Sequence, residues 1–315
     1  MSEKVVIIGG GLTGLSAAWE LEKQHVPYTL IEVKGRLGGS IISERRDGFV
    51  FDGGPMTFEP SGDWSFLEEL GLSDALFETG DFRRSVKAFK DGTQTLTDAL
   101  ASKLTDTVML RMAVTSLGYV GGQFAVCFEN GLALTAGALI VAAPALTAER
   151  MFRTLQPDIA LRLFDWRYET VARITALLGW ASTSEVYNFK FDIRSLAFFD
   201  GTDSRWRMPS AHALTQVGIP FEPAAGPPTR EQAAVMFGKP IDKIARVDYW
   251  PTEHLVGRDS AEHTEDMRAI ESLMPEGVAL VGSDYLTGET FVPMLAERVA
   301  TGLSAAQKVA KWLGV

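Results

Sequence analysis

Three glycines spaced as GxGxxG, Gly9, Gly11 and Gly14, together with Glu32 further along the chain, are the residues here whose types and spacing best suit a defined chemistry. That chemistry is dinucleotide binding. The first glycine permits a tight turn, the second lets a pyrophosphate approach the backbone, and the third lets a helix pack close to a strand. Leu12 and Thr13 lie between the last two glycines, where free helix amides and the positive dipole end face phosphate oxygens. Glu32 stands where a carboxylate accepts hydrogen bonds from the adenosine ribose hydroxyls and repels a ribose 2'-phosphate.

These groups act together only if regular elements hold them. Val5, Val6, Ile7 and Ile8 form an apolar, β-branched run, the pattern of a central parallel strand buried on both faces. Leu12, Leu15, Trp19 and Leu21 give the following helix an apolar side, and after Pro27 the stretch from Tyr28 to Ile31 predicts a second strand ending at Glu32. Strand, helix, strand and terminal acid agree, but the glycine pattern alone does not separate NAD from FAD.

The next residues do. Residues 34–43, KGRLGGSIIS, together with Glu32 resemble the ExxxRxGGxxxS extension of the flavin-dependent amine oxidase superfamily, which includes protoporphyrinogen oxidase, monoamine oxidase, carotenoid desaturases and renalase. The resemblance implies that Arg36 brings a guanidinium to the pyrophosphate and that Gly38 and Gly39 let the chain pass close to the cofactor. Ser40 stands where many members carry another arginine, so one contact is missing or replaced. GFVFDGGP at 48–55 resembles the segment that runs under the isoalloxazine ring, which implies cofactor contacts from Gly54, Pro55, Met56 and Thr57.

The resemblance extends through most of the chain. Residues 89–104 resemble the glycine turn and helix of the family, with Leu96, Leu100 and Leu104 at helical spacing, and 111–117 read as a strand in which Val114 meets the adenine. A hairpin is predicted with its turn at Asn130-Gly131, leading to ALIVAAPAL, where Ala143 lies beside the cofactor. VALVGSD at 278–284 resembles the final strand and glycine-acid turn, so the resemblance places Gly282 and Asp284 at the ribityl and pyrophosphate region. The amides of Thr290, Phe291 and Val292 would then meet the flavin N1 and C2 carbonyl. Phe291 and Pro293 make this last turn bulkier than in many members. Trp250, before Pro251, resembles the family tryptophan that approaches the flavin.

Composition is compatible with this reading. The chain has 315 residues, 46% hydrophobic and 22% charged, with a formal charge of -10, which argues against broad nucleic-acid or anionic-membrane binding. No apolar run reaches the roughly 18 residues of a membrane span, and the first strand begins at once, so a cytoplasmic protein without membrane insertion is expected. Cys127, the only cysteine, excludes an internal disulfide and is expected as a buried small hydrophobe. His25, His212, His254 and His263 show no metal-ligand spacing, so no metal is expected, and there is no GxSxG elbow.

The predicted fold is α/β, a Rossmann-type, glutathione reductase-like FAD-binding domain from 1–58, 89–150 and 274–315. A smaller α+β substrate domain from 59–88 and 151–273 is built on an antiparallel sheet. Between DGGP and the next nucleotide-domain helix there is room for a helix or two around FLEELGL, so 151–273 is expected to build a mostly apolar substrate pocket. The resemblance implies an FAD-dependent oxidase or dehydrogenase that takes a hydride from a small or ring-containing molecule to flavin N5, with reoxidation by oxygen or another acceptor. It assigns no catalytic side chain. Two alternatives stay open: renalase-like oxidation of dihydronicotinamide isomers, and a flavin-binding protein without turnover.

Overall fold

A computed structural model describes residues 4–81, 84–179, 194–199, 205–209, 212–222, 224, 226, 228–237, 241–258, 260–287 and 293–315. The chain begins β1 (Val5–Ile8), α1 (Leu12–Lys23), β2 (Tyr28–Glu32), β3 (Ser43–Arg46), β4 (Phe49–Asp52), α2 (Phe66–Glu69), β5 (Leu76–Asp81) and β6 (Arg84–Phe89). It continues with α3 (Gln94–Ser102), β7 (Thr107–Leu110), β8 (Val114–Val120), β9 (Gln123–Phe128), β10 (Ala133–Ala136), β11 (Ala138–Val141), α4 (Ala145–Leu155) and α5 (Pro157–Phe164). The last third holds β12 (Tyr168–Gly179), β13 (Ser195–Phe199), β14 (His212–Pro220), α6 (Arg230–Phe237), β15 (Lys243–Leu255), α7 (Ala261–Leu273), β16 (Val278–Leu280) and α8 (Leu295–Leu313).

The apolar β1 run lies at the centre of a parallel sheet of order β16-β11-β1-β2-β7, paired on one side with β11 and on the other with β2. Its side chains alternate between two cores, as a strand buried on both faces must. Val5 and Ile7 enter one with α1, α3 and α8, while Val6 and Ile8 enter the other with α4, α5, α7 and the β10-β9-β8 sheet. Met151, Phe152, Ile159, Leu163 and Ile270 belong to this second core, so helices from within 151–273 pack on the parallel sheet.

Three local expectations are corrected. The strand expected from Arg111 begins only at Val114, because Arg111 turns with φ 57° and Met112 N–H reaches back to the Glu32 carbonyl. The preceding TVML instead closes the parallel sheet as β7. Between DGGP and α3 the chain forms one short helix, α2, and the β5–β6 hairpin, whose Phe77 ring packs on Phe199 of β13. Cys127 is half-buried, because the alternation of β9 buries Val126 and Phe128.

The antiparallel sheet has order β13-β14-β12-β15. Along β12, Ala172, Ile174, Ala176 and Leu178 face Ala233 and Phe237 of α6, and the intervening Arg173 and Thr175 turn to the opposite face. Among the described residues no helix is long and apolar enough to cross a membrane.

Helix α8 lies against α1 so closely that a Cβ on Gly302 would come within 2.4 Å of the Thr13 carbonyl oxygen. Gly302→Ala is expected to destabilise the protein by roughly 1–3 kcal/mol through overpacking against backbone that has no room to yield. Gly118→Ala, where a Cβ meets nothing within 4 Å, should change stability by less than about 0.5 kcal/mol. Urea unfolding of both variants checks this, and equal stability of the two would contradict it.

Candidate cofactor site

The site begins where β1 ends. Gly9 turns with φ 111°, and a Cβ there would lie 2.3 Å from the Ala142 carbonyl oxygen. A Cβ on Gly14 would lie 1.9 Å from the Gly9 carbonyl oxygen, so this glycine lets α1 sit against the turn, away from the ligand side. Gly11 is the N-cap of α1; no side chain caps it and no acidic residue occupies the first turn. The first amides of α1 are therefore left to face whatever fills the space before them.

Glu32 ends β2 with its carboxylate buried. One oxygen accepts from Gly10 N–H at 2.8 Å, the other from Lys34 N–H at 2.8 Å. Each oxygen keeps lone-pair capacity for a further donor, so Glu32 fixes the glycine turn and still offers acceptors to ribose hydroxyls.

Arg36 departs from its expected place. Its Nη1 donates to the Leu37 and Ile41 carbonyls at 3.0 and 3.2 Å, its Nη2 to the Gly39 carbonyl at 2.8 Å, and it does not line the cleft. The guanidinium holds a loop in which Gly38 and Gly39 have φ 97° and 62°. That loop brings Gly39 so near Gly11 that its Cβ would lie 3.0 Å from the Gly11 Cα.

These walls bound a cleft of about 440 Å³. Of the residues expected at the cofactor, Gly9, Gly11, Leu12, Thr13, Glu32, Gly38, Gly39, Ser40, Val114, Ala143, Trp250, Gly282 and Asp284 line it. Gly14 and Arg36 stand behind it, supporting its shape. Gly54, Pro55, Met56 and Thr57 do not line it either; Pro55, Met56 and Thr57 border a second, tight crevice. Thr290, Phe291 and Val292 lie outside the described residues. Sequence reasoning passed over Lys34 and Arg298, the two cations of the cleft wall among the described residues. For Lys34 the signal in the sequence is a basic residue beside a phosphate-binding loop.

Asp284, 2% exposed, accepts from Ala145 N–H at 2.9 Å and from the Tyr168 hydroxyl. Burial pushes its carboxyl up, against the lowering effect of the Tyr168 and Ala145 bonds. Partial desolvation, then the Arg36 charge, holds the Lys34 ammonium below the ordinary lysine value. Trp250 stands half-buried on β15, and its indole N–H donates to the Gly53 carbonyl at 2.7 Å, so the antiparallel sheet supplies one end of the cleft.

Beyond Trp250, Asp52 of β4 ties β3 and the start of α3 to the antiparallel sheet. Its carboxylate accepts from Ser43, from the Thr93 amide and hydroxyl at 3.1 and 2.9 Å, and from Arg207 at 2.8 Å. Its carbonyl accepts from Gln216 at 2.8 Å. The sheet face opposite Pro55, Met56 and Thr57 carries buried Arg173, Ser195 and Gln216. This patch is polar, while Leu177, Leu214, Ala197 and Phe199 on the same face pack with Phe49, Phe51 and Met56.

The sequence model of the NAD(P)-binding Rossmann-like domain matches residues 7–70, and that of the flavin containing amine oxidoreductases matches 61–187. Over residues 61–187 the chain is therefore similar to the flavin containing amine oxidoreductases. It is 39% identical over 83 residues to coproporphyrinogen III oxidase of Propionibacterium freudenreichii subsp. freudenreichii, 25% of this chain and 16% of that protein. It is 39% identical over 90 residues to protoporphyrinogen oxidase of Bos taurus, 26% of this chain and 19% of that protein. The match thus spans less than a fifth of these curated relatives. In structure it is similar to a candidate protoporphyrinogen oxidase of Exiguobacterium sp. 255-15, with TM-score 0.76 over 100% of both chains at 13% identity. A putrescine oxidase bound to putrescine superposes with TM-score 0.68 over 99% of each chain at 14% identity. Such likeness shows the fold alone, and the match to the flavin containing amine oxidoreductase model implies a flavin cofactor.

The Tyr168–Asp284 bond should be visible in the pH dependence of stability. A carboxyl whose folded pKa is raised binds its proton more tightly when folded, so its stabilising contribution is lost as pH rises through the folded value. Tyr168→Phe removes a bond that opposes the rise, so its destabilisation should grow from acid toward neutral pH and then level off. In an Asp284→Asn background the same substitution should lose that pH dependence. Denaturation midpoints across pH 4 to about 8 test it; a pH-independent effect of Tyr168→Phe in the parent would refute the assignment.

Proposed function

We propose that the protein is a cytoplasmic FAD-dependent oxidoreductase acting on a small or ring-containing molecule. The observation that carries this reading is one cleft lined at one end by the uncapped turn of α1 and Glu32, and at the other by Trp250 of the antiparallel sheet. A dinucleotide laid along it would have adenosine at Glu32 and Val114, pyrophosphate at Gly11 and Gly39, and its flavin toward Trp250 and the residues beyond. The donor set fits: free helix amides for phosphate, a buried carboxylate with spare acceptors for ribose, and Gly282 with Asp284 on the facing wall. Glu32 favours a free 2'-hydroxyl, hence FAD over a 2'-phosphorylated dinucleotide.

FAD, when bound, would supply a two-electron acceptor for a hydride equivalent from a substrate C–H bond, with oxygen or another acceptor as the final oxidant. The chain's own work is positional. Gly11 and Gly39 set how deeply the pyrophosphate lies, Asp284 holds the Ala145 turn, and the Gly53 carbonyl fixes the Trp250 plane. The polar patch with Arg173, Ser195 and Gln216 gives the substrate side directional hydrogen bonding beside the 55–57 segment.

Purified protein should take up FAD in preference to FMN, and Gly11→Leu should abolish uptake by filling the space opposite Gly39. Anaerobic mixing of the flavin-loaded protein with porphyrinogens, amines and dihydronicotinamides, followed by flavin bleaching, identifies the substrate class. Trp250→Ala should shift the flavin absorbance and slow bleaching while FAD stays bound. Equal affinity for FMN and FAD would overturn the cofactor reading; no bleaching by any class, with reduction by dithionite intact, would overturn the enzyme reading.

A further inference from the structure

A bound pyrophosphate gains from a cation besides the helix amides, and the guanidinium best placed by sequence, that of Arg36, is committed to three carbonyls of its own loop. Ser40 brings no charge. Lys34 does: it leaves the end of β2, lines the cleft, and places Nζ 3.2 Å from the Gly39 carbonyl oxygen and 5.8 Å from the centroid of the Trp250 ring. Gly39 is the residue that closes on Gly11 at the start of α1. The Lys34 ammonium therefore stands beside the gap through which a pyrophosphate reaches the helix amides.

We propose that Lys34 is the pyrophosphate-binding cation on this wall of the cleft, in the place the sequence reserves for Arg36. This rests on the dinucleotide reading above. An ammonium carries three donors, and the Gly39 carbonyl takes one, leaving two for phosphate oxygens. Its four-carbon stem swings where the planar guanidinium of Arg36 is pinned. Glu32 and Asp284 line the same cleft, so without Lys34 the anionic cofactor would meet carboxylates with only Arg298 opposing them among the described lining residues. The same ammonium lies over Trp250, so the cation at the pyrophosphate also touches the substrate-side sheet.

The test titrates flavin-free protein with FAD and, separately, with ADP, which keeps the adenosine and pyrophosphate and lacks the flavin. Lys34→Met should weaken both roughly tenfold, the scale of one charge-assisted hydrogen bond. Lys34→Arg should recover most of the loss, and added salt should narrow the gap between parent and Lys34→Met. The melting temperature of flavin-free Lys34→Met should equal that of the parent, which a loop-holding role would not permit. Unchanged affinities in Lys34→Met, or weakening for FAD but not ADP, would overturn the assignment to the pyrophosphate. If the parent binds ADP in a Lys34-dependent way but not FAD, the FAD reading falls and the Lys34 assignment stands; if the parent binds neither, both fall.

Discussion

The Asp52 carboxylate is the contact on which the placement of β3, β4 and α3 beside the antiparallel sheet depends. It sits at the end of β4, almost wholly buried, and gathers donors from β3, from the start of α3 and from Arg207, which is itself fully buried. Removing two charges from water is costly, and such a pair adds little stability over a well-packed apolar substitute. Its value is directional. A carboxylate with four donors admits one relative placement of the pieces that supply them, whereas apolar packing tolerates sliding. Breaking it from one side would strand a buried charge, at about 3–5 kcal/mol.

The nucleotide side follows a complementary logic of missing atoms. Gly9, Gly14 and Gly302 each stand where a single carbon would collide with backbone oxygen, and together they draw β1, α1 and α8 into a block with no lateral slack. The open end of α1 is then presented at a fixed height above Gly39. Arg36 braces this wall from behind with three bonds to its own loop.

Local signals made much of this legible. The unbroken apolar run of Val5 to Ile8 and the glycine spacing name a buried parallel strand and its turn without reference to the rest of the chain, and Glu32 follows from them. Arg36 was misplaced because the direction of a long side chain depends on which carbonyls its loop exposes, a consequence of two left-handed glycines. The β5–β6 hairpin was hidden because its partner, Phe199 on β13, is far away in sequence. The polar patch of the antiparallel sheet was missed for a similar reason. Arg173, Thr175 and Gln216 look like solvent positions in a half-buried strand, and only the closure of residues 52–57 over them turns that face inward.

Many bonds that tie the antiparallel sheet to its neighbour end on main-chain oxygens. Gln216 reaches the Asp52 carbonyl, Trp250 the Gly53 carbonyl, Thr57 the Leu196 carbonyl and Arg46 the Ala245 carbonyl. A carbonyl is the same whatever side chain follows it. The seam is thus indifferent to most substitutions on its accepting side, and one parallel-sheet block can carry antiparallel sheets that have drifted far apart in sequence, provided a few donors keep their reach.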